Sequence, residues 1–549
     1  LKFHLESKSA TIGFFILAVV ATLGALSFRV TQVADLFHPG LWAEDGVVFL
    51  NEANELGIRS VVTPYAGYMH LFPRLAAYVS SFAPISFAPL LFHLAWLLAF
   101  IAFVYIVYSR IVASGVRPAF AAWALVLFAL LPQAGEVFFT LTNVQWFSGL
   151  SLIVYLIFPF RHRVRLWHIA LICAAGLTGP FSILALPVLA VRALFFRDFN
   201  ANRPAYLAVI ICAVIQAGFI FTAPKVLGAQ ASALDVRVWL SATAKFLSFG
   251  GEYPIATIFA FVFWASMPWQ RMFRAVVDRF KSGGVDEHAG PAICASILVA
   301  TAFGMIFIGF LRDDPGTMSP VILSNGAAGG SRYYLIPYSL LLAAAVVASA
   351  RDYSRLLVAL FAFSMICIGN LVTPERADFQ WDAYSKLARV VPDVTIPIAP
   401  RIEAYPGWSV NAGSQYRSLG TGAGRETVVP LESVSVEGGN IIRSDGSTVL
   451  RSSSDNFLIT FPIADHCGND ETIGLEVEAV RSFDGWMHVL WAKADSFNDK
   501  DSVLRFRPAG LVKENFAFKR RADQDMVRIR PGFVAGDVEV RSIRMFCLM

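Results

Sequence analysis

Eleven runs of apolar residues near bilayer length dominate this chain, at about 10–30, 87–109, 118–133, 146–160, 166–182, 183–197, 205–224, 254–270, 291–311, 334–350 and 356–373. A hydrocarbon layer of about 30 Å needs about 20 apolar helical residues to cross it. One soluble core does not need so many such segments. Of the 549 residues, 56% are hydrophobic and only 15% charged, against roughly 25% charged in soluble proteins. The pattern predicts a polytopic α-helical membrane protein of about eleven spans. The weakest pair of spans, over 166–197, is divided by Gly179-Pro180, a turn signal. The first run, Ala10 to Phe28, is too long for a usual signal-peptide core and lacks a small-residue cleavage site, so it reads as a retained span.

Basic residues set the expected orientation. With the N-terminus inside, the inner loops hold Lys2, Lys8, Arg110, Arg117, Arg161, Arg163, Arg165, Arg192, Arg197, Arg203, Arg271, Arg274, Arg279, Lys281, Arg351 and Arg355. The positive-inside rule then puts the N-terminus in the cytoplasm, and an odd span count puts the C-terminus outside. The net charge of +5 is small for this length and gives no sign of nucleic acid as a partner.

Three outer segments are long: 31–86, 225–253 and 312–332. In the first, two semi-apolar helices are expected, Val47 to Leu56 and Met69 to Phe82, of the kind that lies in a membrane interface. The stripe of the former is read as Val47, Val48, Leu50, Ala53 and Leu56. After about 373 the apolar runs stop. Short alternating stretches follow at 456–461, 472–480, 486–492 and 537–546, separated by turn residues, which is the pattern of an all-β sandwich. The division is therefore 1–373 transmembrane, 374–400 linker, and 401–549 a periplasmic sandwich of jelly-roll type. Cys173, Cys212, Cys294 and Cys367 fall in apolar runs and read as free thiols. Cys467 and Cys547 fall in the outer domain. They are expected to form a disulfide in an oxidising compartment, with two buried free thiols as the alternative.

Three groups of residues offer chemistry. Glu44 and Asp45 are adjacent carboxylates just outside the first span, followed by a segment holding Tyr65, His70 and Arg74. They read either as a general base and its helper or as a helix start, with Asp45 as cap. Glu136, Asn143, Gln145 and Trp146 sit at a span mouth. There the amides suit sugar hydroxyls, and Trp146 equally suits interfacial anchoring. Arg332 and Tyr333 lead into the tenth span. The guanidinium reads as a phosphate ligand or as a snorkelling side chain. No P-loop, catalytic triad order, zinc motif or dinucleotide fingerprint is present.

The stretches LWAEDGVVFLNEA, PYAGYMHLFPRL, TNVQWF and SRYYLIP, on this architecture, resemble the bacterial GT-C superfamily of membrane glycosyltransferases. The stretches GWMHVLWAKADSFNDKDSV and VRIRPGFVAGDVEVRSIRMF resemble the carbohydrate-binding-module-like sandwiches attached to some of them. The resemblance implies a bacterial inner-membrane enzyme with a polyprenyl-phosphate sugar as donor, a glycan or glycolipid as acceptor, and membrane lipids around it. It further implies that Asp45 or Glu44 is the base. Some members use a divalent metal there; beyond the pair, only Glu136, Asp313 and Asp314 stand out as acidic partners, which leaves metal dependence open. Two rival readings are a flippase or transporter of lipid-linked glycans and a glycan polymerase or ligase. A transporter would carry ionisable residues deep within its spans, whereas here most charges lie at span ends.

Overall fold

The computed structural model describes residues 8–27, 40–132, 137–158, 164–222, 236–250, 254–282, 289–312, 331–368, 379–399, 408–412, 424–444, 447–467, 472–493, 496–497, 501–521 and 523–548. It divides into two compact units. One comprises Leu1–His38, Ile58–Ala76 and Phe92–Arg376; the other comprises Pro39–Gly57, Ala77–Leu91 and Ala377–Met549.

The region before residue 373 is mostly helical, with fifteen α-helices among the described residues. They are α1 (Lys8–Ser27), α2 (Asn51–Leu56), α3 (Leu71–Ser80), α4 (Ala88–Ala113), α5 (Pro118–Ala129), α6 (Val144–Ile157), α7 (Leu166–Gly176), α8 (Phe181–Phe196), α9 (Arg203–Thr222), α10 (Val236–Leu247), α11 (Pro254–Ser266), α12 (Trp269–Ser282), α13 (Gly290–Arg312), α14 (Leu335–Ala348) and α15 (Tyr353–Cys367). All but α2, α3, α10 and α12 fall on the eleven apolar runs.

Two segments, Ile85–Ala113 and Arg203–Thr222, are long and apolar enough to cross a membrane. Most of the other apolar helices are shorter, 10–17 residues by the same measure. At 1.5 Å per residue, 16 residues span only about 24 Å. The shortening has a local cause. Hydropathy counts apolar residues whether or not they are helical, and these runs contain their own stops. The run at 118–133 leaves the helix at Leu130. The stretch 166–197 breaks at Leu177–Pro180, where Gly179 takes φ +95°. Pro268 separates α11 from α12.

One end of the helical unit is tied by a buried ionic cluster. The Arg192 guanidinium, wholly buried, donates to the Asp198 carboxylate and to the carbonyls of Leu156 and Phe158. Tyr206 Oη donates to Asp198 at 2.7 Å, and Asn202 Nδ2 donates to it at 3.1 Å. The cation thus satisfies carbonyls at the end of α6 that no helical partner can reach.

The second unit is an antiparallel β-sandwich with elements packed on it. Within 374–400 lie the helix α16 (Trp381–Val390) and the strand β1 (Val394–Pro397). β1 pairs with β2 (Ser409–Ala412) as a two-stranded ribbon. The remaining strands are β3 (Gly424–Val428), β4 (Ser435–Glu437), β5 (Asn440–Ser444), β6 (Ser447–Ser452), β7 (Leu458–Pro462), β8 (Thr472–Arg481), β9 (Gly485–Ala492), β10 (Ser502–Arg507), β11 (Gly510–Lys519), β12 (Met526–Arg530) and β13 (Val538–Leu548). One sheet has the order β10-β9-β12-β7-β4. The other has β11-β8-β13-β6-β5, with β3 also paired to β13. All pairs are antiparallel, and the chain passes repeatedly from sheet to sheet.

Alternation along the strands explains the core. Val527 and Ile529 of β12 are buried at every second position, and in β9 Met487, Val489 and Trp491 lie deepest, with His488 and Leu490 between them also buried. Trp491 stacks on Phe518 of β11, in the other sheet, with ring centroids 4.3 Å apart. One charge that enters this core is paired by two guanidiniums. Glu514 is 1% exposed, accepts from Arg505 Nε at 3.0 Å, and is also bonded to Arg507. Tyr384 of α16 lies against this pair, and burial pushes its phenol up to about 12.

Cys467 and Cys547 form a disulfide that closes an 80-residue separation onto the last strand. A cross-link over a loop of this size stabilises by about 2–5 kcal/mol, mainly by restricting the unfolded chain. The double variant Cys467→Ala/Cys547→Ala should lose that much unfolding free energy and so unfold at a lower denaturant midpoint. Equal midpoints for the variant and the oxidised protein would show that the bridge contributes nothing.

Candidate functional site

The acidic pair belongs to the sandwich unit, and its backbone is held from both sides. Leu41 and Ala43 flank a parallel bridge between Trp42 and Ala399. Ala43 N donates to Ala399 O at 2.5 Å, and Ala399 N donates to Leu41 O at 3.2 Å. Asn411 N, on β2, donates to Asn51 Oδ1 at 3.1 Å. Ala43 has φ +32°, a left-handed conformation rare for a residue with a Cβ. From Asp45 to Leu50 the chain forms a π-helical turn, which continues into α2. Gly46 is required here. A Cβ would lie 2.5 Å from both Ile398 Cδ1 and Val410 Cγ2.

The wider π turn shifts the phase of the expected stripe. Phe49, Leu50 and Ala53 are buried, while Val47 and Val48 are half-buried and Leu56 is exposed. Asp45 is 1% exposed and Glu44 half-buried. Asp45 does not take the expected cap position, which falls to Glu44 without a side-chain cap bond. Asp45 is itself the first residue of the turn.

The other candidates lie in the helical unit, where the structure brings most of them together around one turn. Leu71 N donates to Leu177 O at 3.0 Å, Gly179 N donates to Met69 O at 3.0 Å, and His70 bridges Thr178. Phe72 N donates to Thr178 Oγ1 at 3.1 Å. Gln216, wholly buried in the middle of α9, completes this junction. Its Oε1 accepts from Met69 N at 2.9 Å, and its Nε2 donates to the carbonyls of Met69 (3.1 Å) and Gly179 (2.9 Å). Each buried backbone group left without such a partner would cost about 1–3 kcal/mol.

Gln145 reaches the same turn. A Cβ on Gly179 would meet its Oε1 at 2.9 Å. Trp146 then lies edge-on to both Phe181 and Tyr333, each with centroids 5.3 Å away. Arg332 sits 5.8 Å over the Tyr333 ring. Tyr65, Tyr68 and His70 form an aromatic group, with Tyr68 stacked on His70 at 4.6 Å and Tyr65 at 5.7 Å. Arg74 is wholly buried beside His70. Asn143 turns inward to donate to Thr140 Oγ1 at 2.9 Å. Glu136 lies outside the described residues.

Gln216 escaped the sequence reading of this region, and Lys245, noted only as part of the outer segment 225–253, was given no role in it. Gln216 was visible as a single amide within a bilayer-length apolar run, a rarity that marks buried function or a structural need. Lys245 of α10 is 8% exposed, with Nζ 5.9 Å over the Tyr334 ring, and its carbonyl accepts from Tyr338 Oη at 3.4 Å. It adds a second cation next to the Arg332 segment. As for a metal, no group of three His, Cys, Asp or Glu side chains converges among the described residues. Asp313 and Asp314 are, like Glu136, outside them. The acidic pair alone makes no ligand set, and no chemistry is assigned to a metal.

A second candidate surface lies on the sandwich. Of the β9 positions on the face away from Val489 and Trp491, Trp486 is half-buried while His488 and Leu490 are buried, and β12 adds the half-buried Arg528 and Arg530 beside them. Trp486 packs edge-on to Phe506 of β10 at 5.5 Å. The Arg528 guanidinium is 4.0 Å over the Phe497 ring, and that of Arg530 is 4.4 Å over Phe533. The half-buried Trp486 and Phe506 thus share one sheet face with the Arg528 and Arg530 guanidiniums.

No protein-family model matches the chain, and no curated protein matches it. Among solved structures, the C-terminal domain is similar to a family 29 carbohydrate-binding module from Piromyces equi, at 13% identity and TM-score 0.18, over 23% of this chain and 91% of the module. It is also similar to the apo form of BiXyn10A CBM1, at 14% identity and TM-score 0.16, over 23% of this chain and 90% of that one. A CBM4 structure matches at 10% identity and TM-score 0.17, over 21% of this chain and 78% of its own. The sandwich is assigned from its own strand pairing.

His70 carries a testable electrostatic consequence. Burial first, and the Arg74 charge second, lower its pKa from 6.5 to about 3, against a small upward pull from the Tyr68 carbonyl. It is therefore neutral near pH 7 and serves any ligand only as a neutral hydrogen-bonding group. On acidification the unfolded chain takes up this proton before the folded one. Stability should fall as pH drops from about 6.5 towards about 3, by up to about 1.4 kcal/mol per unit, and this group should add no slope above that window. Thermal melting of His70→Phe against pH should show a shallower acid slope than the parent. Identical slopes would place His70 in contact with water.

Proposed function

We propose that this chain is a membrane-embedded inverting glycosyltransferase of the GT-C kind. It moves a monosaccharide from a polyprenyl-phosphate donor to a glycan or glycolipid acceptor on the periplasmic side of a bacterial inner membrane. The observation that carries the reading is the acidic pair. A left-handed Ala43, a π-helical turn and a carboxylate at 1% exposure come together within three residues. Backbone strain and π turns concentrate at functional positions, and a buried acid stabilises a fold only weakly. The basic ends of the apolar helices support the orientation, and the disulfide fits an oxidising compartment.

In this reading the acceptor hydroxyl attacks C1 of the sugar as the bond from C1 to the phosphate oxygen breaks. The electron pair leaves with the polyprenyl phosphate, and the configuration at C1 inverts. Asp45 takes the hydroxyl proton, and Glu44, the more accessible of the two, orients the acceptor. Within the helical unit, Arg332, which is partly exposed, suits a donor phosphate better than the wholly buried Arg74. Gln145, Trp146, Tyr333 and Asn143 shape the sugar site. The aromatic and guanidinium face of the sandwich holds the acceptor glycan. The transporter reading is weakened by Arg192, whose charge is locked to Asp198 and to helix-end carbonyls rather than set along a path.

Asp45→Asn should lower turnover by about 10²-fold or more with donor binding retained, and Glu44→Gln should lower it less. The measurement pairs transfer from polyprenyl-phosphate sugars with donor binding for each variant. Near-normal turnover in both would leave the pair a helix start and remove the enzyme reading. Separately, Trp486→Ala should weaken retention on immobilised surface glycan without changing the melting of the sandwich. Unchanged retention would move glycan binding off this face.

A further inference from the structure

Helix α12 has three faces rather than two. At about 100° per residue, Ala275, Arg279 and Met272 share one sector and are buried. Arg279 fixes the helix by donating from Nε to Phe195 O at 2.7 Å and from its terminal nitrogen to Leu194 O at 3.1 Å, at the C-terminal end of α8. A second sector, about 80° wide, holds Trp269, Phe273, Val277 and Phe280. There Phe273 is 71% exposed, Phe280 62% and Trp269 42%. The third sector holds Arg274, Lys281 and Arg271, with Asp278 the single acid.

The corner before the helix is built of indoles. Trp269 Nε1 donates to Trp264 O at 2.9 Å, and the two rings stack at 6.0 Å. Trp264 belongs to the last turns of the apolar helix α11. Tryptophans gather at the level where acyl chains give way to headgroups.

We propose that α12 is a binding element for anionic phospholipid. It lies in the leaflet at the end of the bundle where α8 and α11 terminate, with the Trp269, Phe273, Val277 and Phe280 stripe among the acyl chains. Arg274 and Lys281, beside that stripe, hold lipid phosphates. The occupant follows from charge and polarity together. An apolar stripe this exposed needs an apolar phase, and the flanking cations select anionic headgroups over zwitterionic ones. This rests on the membrane part of the proposed function.

The test uses the full chain in nanodiscs of phosphatidylcholine alone or mixed with phosphatidylglycerol, with hydrogen exchange read on peptides covering 269–282. Phosphatidylglycerol should slow exchange of this segment several-fold. Arg274→Gln and Lys281→Gln should each reduce that lipid-dependent gain by about fivefold, leaving exchange in phosphatidylcholine as it was. High salt should also reduce the gain. Equal exchange in both lipids for the unmodified chain overturns the inference without recourse to any variant. A chain that fails to enter nanodiscs at all overturns the membrane reading instead, so the two failures are told apart.

Discussion

The organising constraint is that buried backbone groups must find partners inside the protein. In apolar surroundings an unsatisfied N–H or C=O costs too much to leave. Helices meet the demand along their length but leave their ends open. Side chains close those ends here. Gln216 serves the loop around Met69 and the turn at Gly179 with one amide. Arg192 serves the end of α6, and Arg279 the end of α8. The polar residues of the helical unit are thus few because each supplies several bonds. The convergence of Tyr65, His70, Gln145 and Trp146 follows from the Gln216 junction.

Much of this was legible in the sequence. Eleven apolar runs gave eleven helices because apolar periodicity and backbone self-satisfaction point the same way. The sandwich strands at 458–462, 472–481, 485–492 and 538–548 followed from alternation of period two. Helix length was less legible. Hydropathy is blind to the chain leaving helix within a run, as it does at Leu130 and at Gly179. The π turn at Asp45 was also hidden, since no residue preference marks a wider turn, and it moved Phe49 rather than Val47 into the core.

The candidate site was readable as residue types but not as groupings. The sequence places Glu44 and Asp45 twenty residues before Tyr65, yet the structure puts the acids in the compact unit of the sandwich and the tyrosine among the helices. The contact responsible, Ala43 with Ala399, joins positions too far apart for any local signal. Gln216 was missed for a related reason. A lone amide in an apolar run says that a partner exists but not which one.

That long-range contact has a bearing on the order of synthesis. A ribosome that has finished residue 373 has already made every side chain assigned to sugar transfer. It has not yet made the segment at 394–399 that pins Leu41 and Ala43, nor the strand at 409–412 that bonds Asn51. The acidic loop is therefore made well before the segments that fix it. Its geometry becomes a readout of whether those later segments have been made and have paired.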